Sequence, residues 1–201
     1  MQDPNAYLNV ATVRPQWRGT VPSVLFQRCD PVPVHDESKR PIIREVVEEM
    51  FITLYANFGV GLAAPQVGIL WRLVVVDLRY LSLIGRTPLS DDEAKQLVLF
   101  NPVLTNEEAE QQSGREACLS IPGFQGNIDR HERISVSYES IDGTPQLIIA
   151  EGFLARVIQH EIDHLDGVLY ADHATEFSPI TGSRFAARAA EALTAAGLGD
   201  V

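Results

Sequence analysis

The stretch VIQHEIDHLDG, residues 157–167, carries an apolar stripe and a polar cluster within the same few turns of chain. Leu154, Val157, Ile158, Ile162 and Leu165 recur at three- and four-residue spacing, so the segment from Phe153 reads as a helix with one buried face, ended by Gly167. His160 and His164 stand four residues apart, which on a helix stacks them on one face within reach of a single metal ion. In the pattern H-E-x-x-H the two histidines bind the ion and the glutamate, here Glu161, is the general base on its bound water. Two ligands do not complete a catalytic site. Ions of this class take three protein ligands and keep one position open for water, so the rest of the chain must supply the third.

Four β-rich runs lie outside this helix: RLVVVDL (72–78), QLVLFNPVL (96–104), RISVSYESI (133–141) and PQLIIAEG (145–152). The alternation in ISVSYES predicts a sheet with one solvated face. Upstream, Ile42, Ile43, Val46, Val47, Met50, Phe51, Leu54 and Tyr55 predict an amphipathic helix over 41–57. Asp36 or Ser38 is expected to cap its start, with Pro41 in its first turn and Gly59 beyond its end. GVGLAAPQVG, residues 59–68, breaks every periodicity, which calls for a sharp turn or for something that approaches the backbone closely. No Lys-Ser/Thr pair follows, so this is not a phosphate loop. Residues 80–95 are expected to form a polar surface insert and the alanine-rich tail from Ser183 a helix. Strands bracketed by helices, with no internal repeat, predict an α+β fold: one domain in which a central metal-binding helix is surrounded by antiparallel β-sheets.

The bulk numbers agree with one globular domain: 201 residues, 45% hydrophobic and 21% charged. A net charge of -11 without any basic block argues against a nucleic-acid site or an anionic membrane surface. The first twenty residues hold no continuous apolar run and no stretch approaches a membrane span, so the expected location is the cytoplasm. In that setting the two cysteines, Cys29 and Cys118, are thiols or metal ligands rather than a disulfide.

The third ligand has several candidates. An extended motif with a further histidine after Gly167 fails, because Tyr170 stands where that histidine belongs, and a glutamate some twenty residues downstream fails as well. His173 is a weak possibility. Upstream, EACLSIPG (116–123) sets Cys118 in a turn-like context before Pro122 and Gly123. A lone cysteine is commonly a small buried hydrophobe, yet a thiolate with two histidines would make a tetrahedral site with its fourth position free. Cys29, in QRCDPVP, has no such partners. Asp163 and Asp166 either orient the imidazoles, or pair with an arginine such as Arg130 in the case of Asp163, or are solvated helix charges.

Taken in chain order, GVGLAAPQ, EACLS and QHEIDH resemble the peptide deformylases, over roughly residues 24–171. The family form G-x-G-x-A-A-x-Q is matched by Gly59, Gly61, Ala63, Ala64 and Gln66, and H-E-x-D-H by His160, Glu161, Asp163 and His164. E-G-C-L-S is matched by Glu116, Cys118, Leu119 and Ser120, with Ala117 in place of the usual glycine, one methyl added beside the ligand. The resemblance implies a hydrolase that removes the formyl group from the N-terminal formyl-methionine of new polypeptides and releases formate. It implies Cys118, His160 and His164 as ligands of one divalent metal ion, ferrous iron (Fe2+) in the cell with Zn2+, Ni2+ or Co2+ tolerated. Glu161 would carry the proton, while the Gln66 amide and the Leu119 backbone N–H would stabilise the oxyanion. Val60, Gly61, Phe153 and Val157 would bind the substrate, by strand-like pairing and in a pocket for the methionine side chain, although core packing explains Phe153 and Val157 equally well.

The same resemblance divides the chain into an extension (1–20), a deformylase-like core (21–173) and a C-terminal tail (174–201). The expected partners are N-formylmethionyl peptides and, through them, the ribosome near its exit. Two other classes fit parts of the pattern: a divergent metallopeptidase cutting peptide bonds, and a non-catalytic module stabilised by metal, which would have no use for Glu161 and Gln66.

Overall fold

The apolar spacing at 42–55 produces helix α1, Arg40–Ala56, which buries Ile43, Met50, Thr53 and Leu54. Its start differs from expectation. Asp36 accepts from the Ser38 N–H at 3.1 Å and caps a short 3-10 turn, Glu37–Lys39, while α1 begins from Lys39 with Pro41 in its first turn and no side-chain cap. The computed structural model describes residues 10–11, 24–79, 95–107 and 110–180. The alanine-rich tail from Ser183, most of the 80–95 insert and most of the 1–20 extension lie outside them.

Eight strands and a second helix follow among the described residues: β1 (Gly61–Ala63), β2 (Leu73–Asp77), β3 (Gln96–Glu107), β4 (Gln111–Cys118), β5 (Ile121–His131), β6 (Arg133–Glu139), β7 (Pro145–Glu151), α2 (Gly152–Leu165) and β8 (Phe177–Pro179). A five-stranded sheet runs β1-β2-β3-β6-β7 and a three-stranded sheet β4-β5-β8, every neighbouring pair antiparallel. β8 pairs with β5 from beyond residue 173. The expected α+β fold of one domain, with a central helix between antiparallel sheets, is the fold observed.

β2 shows how the layers form. All five of its residues are buried, and alternation sends Leu73 and Val75 to one face and Val74 and Val76 to the other. Leu73 and Val75 pack with Ile43, Met50 and Leu54 of α1. Val74 and Val76 join Leu99, Ile134, Val136 and Ala150 against Leu154, Ala155, Ile158, Ile162 and Leu165 of α2. Burying each such Leu or Ile contributes about 1.5–3 kcal/mol, so the sheet holds α2 firmly on this side. On its other side stands the smaller sheet with its own cluster, where Leu25, Ile121, Ile128, Leu169 and Tyr170 surround Cys118. Helix α2 is thus covered from two directions, which is why 11 of its 14 residues are buried. No helix among the described residues is long and apolar enough to cross a membrane.

Candidate functional site

The site lies where α2 faces the bend between β4 and β5. Cys118 closes β4 and pairs in register with Ile121, so Leu119 and Ser120 form the turn that presents the sulfur to the helix. From α2, His160 and His164 face it with their rings 5.1 Å apart at 78°. The Cys118 sulfur is 3.2 Å from His164 Nε2, and the three ligand atoms all lie within 4.8 Å of one another. All three residues are buried.

This donor set fits a divalent ion of the zinc or ferrous type. One soft sulfur and two imidazole nitrogens converge from a turn and a helix, the ligand types and number that such ions take in sites with one open position. His160 Nδ1 donates to Glu116 Oε2 at 2.8 Å, which leaves its Nε2 lone pair for an ion. Other upstream and downstream candidates fall elsewhere. Cys29 is buried at the far end of α2, its backbone N–H bound to Leu165 O at 2.8 Å, and burial pushes its thiol up to about 11. Tyr170 is buried with its hydroxyl donating to Phe124 O at 3.1 Å and its ring 5.9 Å from that of His160. Among the described residues, Cys118, His160 and His164 form the group able to hold a metal; His173 takes no part in it.

Glu161 adjoins the triangle with one carboxylate oxygen, Oε2, buried and without a partner among the described residues. Burial pushes this carboxyl up to about 7, His160 and Arg130 pulling the other way. A carboxylate tuned to that range is suited to taking and returning a proton near neutral pH. Gly61 makes room for it: a Cβ there would stand 2.5 Å from Glu161 Oε1 and 2.9 Å from Val157 Cγ1. The unpatterned stretch 59–68 therefore does serve a close approach, as β1 followed by a 3-10 turn, Ala64–Val67. That turn folds Gln66 inward. Its Oε1 accepts from the Ala63 N–H at 2.8 Å, and its Nε2 points at the Cys118 sulfur (3.4 Å) and at Ser120 Oγ (3.2 Å). From the extension, Ala11 N donates to Gln66 O at 2.6 Å.

Val60, Gly61 and Val157 come together beside Glu161, with Val60 and Val157 in one apolar cluster. Phe153 lies one turn before Val157 and is 41% exposed, at the rim rather than in the core. Ala117 is exposed, on the face of β4 opposite Glu116 and Cys118, so its methyl does not crowd the sulfur.

Three buried residues complete the surroundings. Arg130 Nε and Nη2 donate to the two oxygens of Glu116 at 2.9 and 3.0 Å, and its Nη1 donates to Asp163 Oδ2 at 2.6 Å. Arg156 Nη1 donates to Glu116 Oε1 at 2.9 Å. Burial opposes a charge on Glu116, yet His160 and Arg130 outweigh it and hold the carboxyl at about 2. Asp163 therefore pairs with Arg130, and Asp166 with Arg72 at 2.8 Å; the residue that orients an imidazole is Glu116. Sequence spacing carried that signal: on a strand, Glu116 shares a face with Cys118 two residues on, and on the helix Arg156 precedes His160 by four. Reading 116–123 as a turn concealed the first of these.

A sulfur and two imidazoles close together beside a buried carboxylate with one unpartnered oxygen are the components of a mononuclear metal-hydrolase centre. The polypeptide deformylase family profile matches residues 19–179, and the chain belongs to that family. A peptide deformylase of Prochlorococcus marinus (strain NATL2A) is 42% identical over 134 residues, 67% of this chain and 62% of the relative. The chain spans less than two thirds of the length of the first curated relatives it matches. Among solved structures, a peptide deformylase from Synechococcus elongatus in complex with actinonin gives a TM-score of 0.69 at 34% identity, over 99% of this chain and 91% of that one. A class I type b peptide deformylase from Acinetobacter baumannii bound to Met-Ala-Ser gives 0.68 at 31%, over 83% and 98%.

Proposed function

We propose that this protein is a metal-dependent peptide deformylase, which hydrolyses the formamide of N-formylmethionyl polypeptides and releases formate. The observation that carries the reading is the buried Cys118–His160–His164 triangle, with Gln66 Nε2 3.4 Å from its sulfur and Glu161, one oxygen unpartnered among the described residues, next to His160 on α2. A divalent ion, ferrous iron in the cell or zinc, nickel or cobalt in its place, would be held by Cys118, His160 and His164 and would supply a Lewis acid there.

The chain's own groups do the rest. Glu161 accepts the proton of the attacking water and passes it to the leaving methionine nitrogen. Negative charge then grows on the former formyl oxygen, to which the Gln66 side-chain amide and the Leu119 backbone N–H would donate. Gln66 is held for this task by its own Oε1, anchored on the Ala63 N–H. Val60 and Gly61 offer backbone for strand-like pairing with the peptide, while Val157 and Phe153 line the side of α2 that receives the methionine side chain. A bound Met-Ala-Ser in the Acinetobacter baumannii structure supports that choice of substrate. Such substrates are the beginnings of chains still being made, which places the work in the cytoplasm near the ribosomal exit. In domain terms, the core of 21–173 expected from the sequence extends to β8, Phe177–Pro179, which pairs with β5.

The test is formate release from formyl-Met-Ala-Ser by anaerobically purified protein, run beside metal analysis and a Met-Ala-Ser control. Stoichiometric metal with formate release, lost in Glu161→Gln, is the expected result. Cleavage of the unformylated peptide instead would make the protein a metallopeptidase, and bound metal without either product a binding module.

A further inference from the structure

Arg156 sits on α2 one turn before His160 and is only 7% exposed. Besides Glu116, its Nη1 donates to Ile128 O of β5 at 3.0 Å, and its Nη2 donates to Gln112 O of β4. The guanidinium lies flat on Gly114: a Cβ added there would stand 2.8 Å from Cζ and 2.9 Å from Nη2. β4 therefore carries a glycine at this point because the arginine occupies the space a side chain would need.

We propose that Arg156 is a positioning residue of the metal centre: it locks the Glu116 carboxylate, and through it His160, and braces the Cys118 strand against the histidine helix. The proposal rests on reading Cys118, His160 and His164 as a metal site. A carboxylate has about four lone-pair directions. In Glu116 all are used: Oε1 accepts from Arg130 Nε and Arg156 Nη1, and Oε2 from Arg130 Nη2 and His160 Nδ1. A carboxylate so saturated has one orientation, and so does the imidazole that donates to it. Without Arg156 the Oε1 side keeps Arg130 alone, and the carboxylate can turn about that fork.

The second part of the role concerns distance. Cys118 is on β4 and both histidines are on α2, so the separation of these two elements sets the size of the ligand triangle. Arg130 ties α2 to the sheet from the β5 side, through Asp163. Arg156 ties it from the helix side, reaching a carbonyl on each of β4 and β5 along with Glu116. A planar fork with donors in fixed directions can meet all three acceptors at once; a lysine ammonium on a flexible stem cannot.

The experiment compares wild type, Arg156→Lys, Arg156→Met and Gly114→Ala loaded with Co2+. It follows the thiolate and ligand-field absorption bands, the rate of cobalt loss to excess chelator, and the melting temperature of the metal-free proteins. The two arginine variants are expected to lose cobalt faster with shifted bands, by roughly 10-fold, the low end of the effect of removing a direct partner of a metal ligand, since Arg156 acts through Glu116. Gly114→Ala keeps Arg156 but displaces its guanidinium, and is expected to move both cobalt readouts in the same direction. If Arg156→Met does not fold, the lysine and alanine variants carry the comparison. Variants that melt lower yet keep wild-type bands and wild-type cobalt loss overturn the proposal, since Arg156 would then only hold the fold together. Wild-type protein that takes up no cobalt overturns the metal reading itself, and this proposal with it.

Discussion

His160 and His164 stand one turn apart on the same helix and face the same sulfur, yet their surroundings are opposite. His160 donates through Nδ1 to Glu116, which two arginines hold in turn. The Nδ1 of His164 is buried with no partner among the described residues, so its ring is set by packing and by the Nε2 contact to the Cys118 sulfur at 3.2 Å, with no carboxylate behind it. The electrostatics divide the same way. Burial works against a charge on His160, but Cys118 and Glu116 more than offset it and hold its proton affinity well above the ordinary imidazole value. His164 is held well below that value, by burial first and by neighbouring His160 and Arg130 next. The centre therefore has one corner fixed by a hydrogen-bonded chain and one corner free to adjust.

The harshest way to break this contrast is to remove each histidine. His160→Ala and His164→Ala are both expected to abolish metal retention and turnover, by metal analysis and formate assay. Their metal-free stabilities should differ. His160→Ala removes a hydrogen bond to a buried charge, worth roughly 1.5–3 kcal/mol, on top of the lost packing. His164→Ala removes no such bond, so denaturant melts of the two metal-free variants should separate by about that amount.

Glu161→Gln leaves both corners and the metal in place, and should lower kcat by roughly 10²–10⁴-fold. Equal loss of metal and activity in that variant would show that Glu161 acts on the ligand set rather than on the proton.

Glu116→Gln tests the fixed corner alone. Metal affinity, measured by competition with a chelator, should fall by roughly 10–100-fold while the fold persists. An unchanged affinity would mean that His160, like His164, needs no carboxylate behind it.

The smallest effect concerns Cys29, beyond the His164 end of the helix. Its thiol, raised by burial to about 11 from an ordinary 9.0, favours the protonated form in the folded state. That contribution is complete below pH 9 and is lost as the pH rises through about 11. Part of the alkaline decline in stability should therefore vanish in Cys29→Ala, with cobalt spectra at neutral pH unaltered.

How much of this was legible in the sequence follows from what each element is made of. Both helices and the strands β2, β3, β6 and β7 announce themselves through runs of aliphatic residues with a clear period, because they face the large cores. β4 and β5 were missed. QQSGREAC exposes most of its residues and IPGFQGNIDRH contains two glycines, so neither displays an apolar alternation; their pairing with one another holds them. Of the site residues expected from the chain, the structure brings Cys118, His160 and His164 within 4.8 Å of one another and Gln66 Nε2 to 3.4 Å from that sulfur, with Glu161 next to His160 on α2. The Glu116–Arg130–Arg156 support stayed hidden, since it depends on knowing that 111–131 is a hairpin laid against α2.

The tight bend at 118–121 has a last consequence. Cys118 and Leu119 share a peptide unit, so the Cα from which the sulfur's side chain springs and the backbone N–H proposed to steady the reacting oxygen belong to one rigid plane, with the sulfur two bonds off it. Any substitution that tilts this plane alters grip on the ion and speed of turnover together. Selection for tighter ion retention through this bend would therefore drag catalysis along with it, whereas changes at Glu161 leave the two properties separable.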